Sequence, residues 1–167
     1  MMEIRRLRKE DLETRVAWMN NPAIYESMHF DVPVMLDKTL EWFKGNLGSK
    51  KRADLVVEDN DEIVAFGGLT AINREVNKAE LYIFVNPNAQ KGGIGTKATM
   101  LLCKYGFEEL VLNKIYLETN EDNSAARRVY EKCGFVLEGT HREEYRTPDG
   151  VMLSRMYYGL LKCEFNG

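Results

Sequence analysis

The stretch Asn86-Pro87-Asn88-Ala89-Gln90-Lys91-Gly92-Gly93-Ile94-Gly95-Thr96-Lys97-Ala98 decides how this chain is read. Ahead of it runs Leu81-Tyr82-Ile83-Phe84-Val85, an apolar strand that Pro87 stops because proline cannot donate to a ladder. Behind it, Ala98, Leu101, Leu102 and Tyr105 recur at helical spacing. Glycines between a strand and a helix let backbone approach a ligand closely, and the helix start presents free N–H groups with a positive dipole end. Three phosphate-binding patterns compete for the loop. A P-loop needs its lysine directly after the last glycine, and here Thr96 intervenes. Gly93-Ile94-Gly95-Thr96-Lys97-Ala98 matches a dinucleotide fingerprint, with Glu118 as its ribose-binding acid. Against it, the segment 86–91 separates the glycines from the strand, and a hairpin stands where parallel strands are required. The third pattern, Gln90-x-x-Gly93-x-Gly95, holds a diphosphate on helix N–H groups without metal, and Lys91 adds a positive charge.

Outward from the loop, the chain alternates strands and helices. Glu3–Arg8 reads as a first strand and Asp11–Met19 as a helix carrying Leu12, Val16 and Met19 on one face. Pro22 opens a short helical piece, and Asp37 is expected to cap a third helix, Lys38–Leu47, ended by Gly48. Two strands flank the turn Asn60-Asp61, and Leu81–Val85 belongs to the next. The long helix runs from Gly95 to Leu110. A strand Lys114–Asn120 follows, then a helix opened by Asn123 or Ser124 and closed by Gly134, then two strands around Pro148-Asp149-Gly150. The pattern fits one mixed sheet with helices on its faces, in which only the quoted loop sits in a clear βαβ unit.

Bulk properties remove several function classes. The 167 residues suit a single domain spanning the chain, 1–167. A net charge of -3 without a basic block argues against nucleic-acid binding. No apolar run is long enough to span a membrane, and the charged N-terminus does not resemble a signal peptide, so a cytoplasmic protein with no membrane partner is expected. Three scattered cysteines and two histidines make neither a metal site nor a disulfide framework, so no metal is expected.

The loop has a companion in Asn123-Ser-Ala-Ala-Arg-Arg-Val-Tyr-Glu-Lys-Cys-Gly-Phe135. Together the two stretches resemble the GNAT acyltransferase superfamily. Asn123, Ala126, Tyr130, Glu131, Lys132, Gly134 and Phe135 fill the second motif. Trp18-Met-Asn-Asn-Pro22 and the C-terminal Glu138–Arg146 segment resemble the ribosomal-protein-alanine, polyamine and amino-sugar branches. The resemblance implies an α/β (α+β mixed) fold, a largely antiparallel twisted sheet of about seven strands flanked by about four helices. It implies an acetyl-CoA-dependent N-acetyltransferase acting on a primary amine by direct attack. A small-molecule amine or a protein N-terminus is the expected partner, and homodimers are frequent in the family. The alternative is a non-catalytic acyl-CoA-binding sensor.

The resemblance also implies site residues. Gln90, Lys91, Gly92, Gly93, Ile94, Gly95 and Thr96 hold the diphosphate, while Phe84 and Val85 offer backbone to the pantetheine arm. A backbone N–H near Phe84 is expected to polarise the thioester carbonyl. Tyr130 is placed to protonate the leaving thiolate, since a phenol is protonated at neutral pH. Glu80 is the first candidate general base, with Glu118 or ordered water as alternatives. Asn123 is a helix cap, a cofactor contact, or both. The acceptor pocket is expected from Trp18, Asn20, Tyr25, Met28, His29 and Phe30, with Tyr145 and Tyr157 at the far end.

Overall fold

The structure is a computed structural model that describes residues 1–89 and 92–167. Seven strands form one sheet: β1 (Met2–Arg6), β2 (Ala53–Asp59), β3 (Glu62–Asn73), β4 (Lys78–Val85), β5 (Lys114–Asn120), β6 (Val136–Arg146) and β7 (Met152–Leu161). Their spatial order is β1-β2-β3-β4-β5-β7-β6. Every neighbouring pair is antiparallel except β4 with β5. Among the described residues, five α-helices accompany the sheet: α1 (Leu12–Met19), α2 (Pro22–Met28), α3 (Leu36–Gly45), α4 (Ile94–Glu108) and α5 (Ser124–Lys132). Among the described residues no helix is long and apolar enough to cross a membrane.

Local chemistry accounts for most of the boundaries. Asn21 caps α2 by accepting the Ala23 N–H at 3.0 Å, with Pro22 at the first helical position. Asn60 and Asp61 both take positive φ, which matches the twist of a tight hairpin between β2 and β3. The third helix begins earlier than its acid suggests. It starts at Leu36 with Met35 as N-cap, and Asp37 lies inside the first turn, where its carboxylate accepts the free Lys38 N–H at 2.8 Å. It also stops at Gly45, ahead of Gly48, because the Asn46 side-chain amide donates to the Trp42 carbonyl at 2.8 Å.

The sheet separates two cores. On one face α4 and α5 cover Leu55, Leu69, Leu81, Ile115, Leu117, Tyr158 and Leu160 with Leu102 and Phe107. On the other, α1, α2 and α3 cover Val56, Phe66 and Phe84 with Leu12, Ile24 and Trp42. Each such side chain contributes about 1.5–3 kcal/mol when fully buried. Gly67 in the central strand lets α4 sit down closely, since a Cβ there would come within 2.6 Å of Leu102.

The parallel pair that α4 connects is short. β4 and β5 pair only over Lys78–Lys114, Ala79–Ile115 and Glu80–Tyr116. Beyond Glu80, β4 pairs with β3 alone and β5 with β7 alone, so a wedge opens in the middle of the sheet. The Asn86 N–H donates to the Val64 carbonyl at 2.9 Å. Alternation then turns the backbone of Glu80, Tyr82 and Phe84 toward β3 and that of Leu81, Ile83 and Val85 into the wedge.

A buried ion pair pins the start of the chain. Asp11 is 4% exposed and accepts from Arg5 Nη1 at 2.8 Å and Nη2 at 2.9 Å, and from the Arg8 N–H at 2.7 Å. Burial pushes the Asp11 carboxyl up, but the Arg5 and Arg8 bonds with their charges outweigh it and hold the group below its ordinary value. Its stabilisation is therefore present above the ordinary carboxylate range and is lost as pH falls through the lowered folded value. Asp11→Ala should cost about 3 kcal/mol in chemical denaturation at neutral pH, and the difference from wild type should shrink on acidification.

Candidate active site

The wedge ends at the glycine loop. Gly92 and Gly93 take φ of 80° and 75°, a conformation that residues with a Cβ rarely adopt. Their conformation, more than their missing side chains, therefore demands glycine. The space beside both is open. Gly93 supplies no capping side chain, and its carbonyl accepts from Lys97 N–H at 3.1 Å. The N–H groups of Ile94, Gly95 and Thr96 precede that bond and have no intrahelical acceptor. They stand at the positive end of a 15-residue helix. Gly95 carries no such demand: a Cβ there would make only ordinary contact, 3.7 Å from Val129 and 3.9 Å from Val85. Gln90 and Lys91 lie outside the described residues.

These features fit an anionic, extended ligand such as coenzyme A. A strand edge with unpaired backbone leads to a helix start with free donors, and open space lies next to it. Among the described residues, no cluster of three or more His, Cys, Asp or Glu side chains is arranged to hold a metal ion.

Helix α5 stands against the loop. Asn123 caps it, accepting the Ala126 N–H at 3.2 Å, so its Oδ1 is engaged in the fold. Tyr130, one turn from the end of α5, packs on Phe135 and Tyr158. Burial, aided by Cys133, pushes its phenol up to about 12, so it stays protonated through the physiological range. Arg127 is held by the Tyr158 hydroxyl at 3.1 Å and the Glu121 carbonyl at 3.4 Å.

On the opposite face of the wedge lies a polar cluster. Glu80 alternates with Ala79 and Leu81, which face the α4 core, so its carboxylate points to the other side. Burial first, then the neighbouring Glu118, raise its pKa, and Arg155 opposes them. Glu118 is occupied: His141 Nδ1 lies 3.4 Å and Arg155 Nε 3.6 Å from its two oxygens. Glu80 has no ion-pair partner among the described residues. Tyr116 and Tyr157 stack 5.4 Å apart beside these acids, and burial followed by the Glu80 charge raises the Tyr116 phenol.

The expected acceptor residues divide between core and rim. Trp18 packs edge-on against Phe66 at 5.0 Å, and Phe30 against Phe84 at 5.7 Å. Asn20 exchanges two hydrogen bonds with the Val34 backbone and fixes the segment 31–35. His29 lies at the rim, 3.1 Å from Asn120 Oδ1 at the end of β5, with its ring 3.8 Å from that of Tyr145. It thereby joins α2 to the far half of the sheet. Sequence reading missed Arg15, which is buried under four aromatic rings. The signal was its position: Arg15 follows Leu12 by three residues and precedes Met19 by four, on the apolar face of α1.

The family described as the Acetyltransferase (GNAT) domain matches residues 2–136. Spermidine N(1)-acetyltransferase of Escherichia coli K12 is 30% identical over 145 residues, covering 86% of this chain and 77% of that protein. The putative ribosomal N-acetyltransferase YdaF of Bacillus subtilis is 33% identical over 63% of this chain and 55% of its own. The crystal structure of spermidine N-acetyltransferase from Vibrio cholerae in complex with CoA and spermine superposes with a TM-score of 0.92 at 27% identity, covering 98% of this chain and 96% of that one. These relatives replace the sensor alternative with an enzyme. With the family matched across most of its length, the chain belongs to the GNAT acetyltransferases and is an acetyl-CoA-dependent N-acetyltransferase.

Proposed function

We propose that this enzyme acetylates a primary amine of a polyamine of the spermidine class, using Glu80 as base and Tyr130 as acid. The observation that carries the proposal is the position of these two groups on opposite faces of the wedge. Glu80 is half-buried, lacks an ion-pair partner among the described residues and has a raised pKa; Tyr130 is a protonated phenol. Similarity to spermidine N-acetyltransferases supports the acceptor class, and the paired acids Glu80 and Glu118 suit a cationic chain. Partial similarity to a putative ribosomal N-acetyltransferase makes a protein N-terminus the second acceptor class.

Bound acetyl-CoA supplies an acetyl thioester. The N–H groups of Ile94, Gly95 and Thr96, with Gly92 and Gly93 shaping the loop, receive its diphosphate. Gln90 and Lys91 are expected to complete that loop. The backbone groups of Ile83 and Val85 face the wedge and receive its extended arm. The backbone of Phe84 is spent on β3 and its ring packs against Phe30 and Phe66 in the core, so the polarising N–H falls to Ile83 or Val85. Asn123 acts through α5, whose first turn it caps. Glu80 takes the proton released from the attacking amine, and Tyr130 gives one to the departing sulfur. A carboxylate raised toward neutrality is a better match to this task than an ordinary one.

Tyr130→Phe should lower kcat by at least about tenfold with little change in coenzyme affinity; unchanged turnover removes Tyr130 from the mechanism. The base must be deprotonated, so kcat/KM should fall as pH drops through the raised Glu80 pKa. Glu80→Gln should lower activity across the range and abolish that acid limb, whereas an unaltered limb assigns it to another group. A panel of spermidine, a peptide with a free N-terminal alanine, a nucleotide-linked amino sugar and an aminoglycoside, read by release of free CoA thiol, should show spermidine turned over most efficiently. Preference for the peptide would install the second acceptor class instead.

A further inference from the structure

Helix α5 carries the proposed acid, but none of its nine residues is fully buried. Apolar packing therefore fixes its rotation and height over the sheet only weakly, and directed bonds carry more of that task. Asn123 holds its first turn. Just past its other end the Cys133 thiol donates to the Thr96 carbonyl at 3.6 Å, which ties α5 to the first turn of α4. The turn that bears Tyr130 is held from the sheet, by Tyr158 of β7.

Tyr158 is fully buried, with its ring in the core beneath α4 and α5. A hydroxyl in such a place needs partners. It accepts from Arg127 Nε at 3.1 Å and donates to Glu131 Oε1 at 3.1 Å. These two residues stand four apart, one above the other on α5. One hydroxyl thus grips two successive turns and fixes both the rotation and the axial position of the helix. Tyr130 lies between the two partners, three residues after Arg127 on the same face. Its ring centroid is 6.3 Å from that of Tyr158. Tyr158 also stands opposite Leu117 of β5, the strand that borders the wedge.

We infer that Tyr158 is a positioning residue for acetyl transfer: its hydroxyl, held by Arg127 and Glu131, sets where the phenol of Tyr130 stands relative to the departing sulfur. The inference rests on the reading of Tyr130 as the acid. The bonds contribute little to stability by comparison. Arg127 is half-exposed and Glu131 exposed, so Tyr158→Phe keeps the buried ring and returns both partners to water.

Kinetics with acetyl-CoA and the best amine of the panel above test the role. Tyr158→Phe should lower kcat at least about threefold, with the calorimetric Kd for CoA unchanged. In a Tyr130→Phe background the same change should have no further effect, since the group it positions is gone. Glu131→Ala, a change at an exposed position that keeps the test valid if Tyr158→Phe folds poorly, should give part of the same loss. Glu131→Gln keeps an acceptor oxygen and should restore the rate. Labelling with 3-fluorotyrosine adds a readout apart from turnover. The Tyr130 fluorine signal, assigned by its absence from Tyr130→Phe, should move in Tyr158→Phe and in Glu131→Ala, and return toward its wild-type place in Glu131→Gln. Wild-type kcat in both Tyr158→Phe and Glu131→Ala, an equal loss in both backgrounds, or a stationary Tyr130 signal would overturn the inference. Full activity of Tyr130→Phe with a signal that moves would count against Tyr130 as the acid and leave Tyr158 as the residue that places its ring.

Discussion

The parallel pairing of β4 with β5 stops after Glu80 and Tyr116, and the rest of the molecule is arranged around that break. A backbone edge inside a sheet cannot stay unpaired without cost, so Leu81, Ile83 and Val85 present groups that demand a partner. The helix that links the two strands begins beside this edge and adds its own unpaired N–H groups. An anionic, extended ligand satisfies both demands at once. The break also makes a passage between the two faces of the sheet. The acid proposed on the α5 side and the base proposed on the α1 side stand on opposite faces of this break, each packed in its own core.

Charge is distributed with the same economy. Arg5 and Arg52 are neutralised by Asp11, Glu58 and Asp54, and these pairs tie β1 to β2 and fix the floor beneath α3. Glu118 is paired with Arg155, with the His141 ring beside it, at the far side of the wedge. Glu80, raised by burial and by the Glu118 charge, has no ion-pair partner among the described residues. Unmatched charge in a protein interior is costly, and its persistence points to a ligand or a reaction.

Turn and cap chemistry was legible residue by residue. Asn21-Pro22, Asn60-Asp61 and Asn123 specify their turns and helix starts through dihedral preference and short side-chain bonds. The third helix shows the boundary of such reading: Asp37 is a fair cap in isolation, but the helix begins at Leu36 and leaves that acid within its first turn. The glycine loop was legible as a strand-to-helix turn, but not the part each glycine plays in it. In detail, Gly92 and Gly93 serve a positive φ, while the space around Gly95 would admit a Cβ at ordinary contact distance. Phe84 illustrates a register effect. A strand residue has its backbone directed to one neighbour or the other, and only the pairing with β3 says which.

The sequence by itself determined the order of elements, the strand–glycine–helix unit, the Asn123–Phe135 helix and the chemical types available at the site, because all of these are set by neighbours along the chain. The tertiary structure alone decided that β4 and β5 part after three pairs, that Glu80 is free while Glu118 is bound, and that Arg15 is buried without a carboxylate. Those outcomes depend on residues distant in sequence competing for the same partners, and local preference carries no information about who wins.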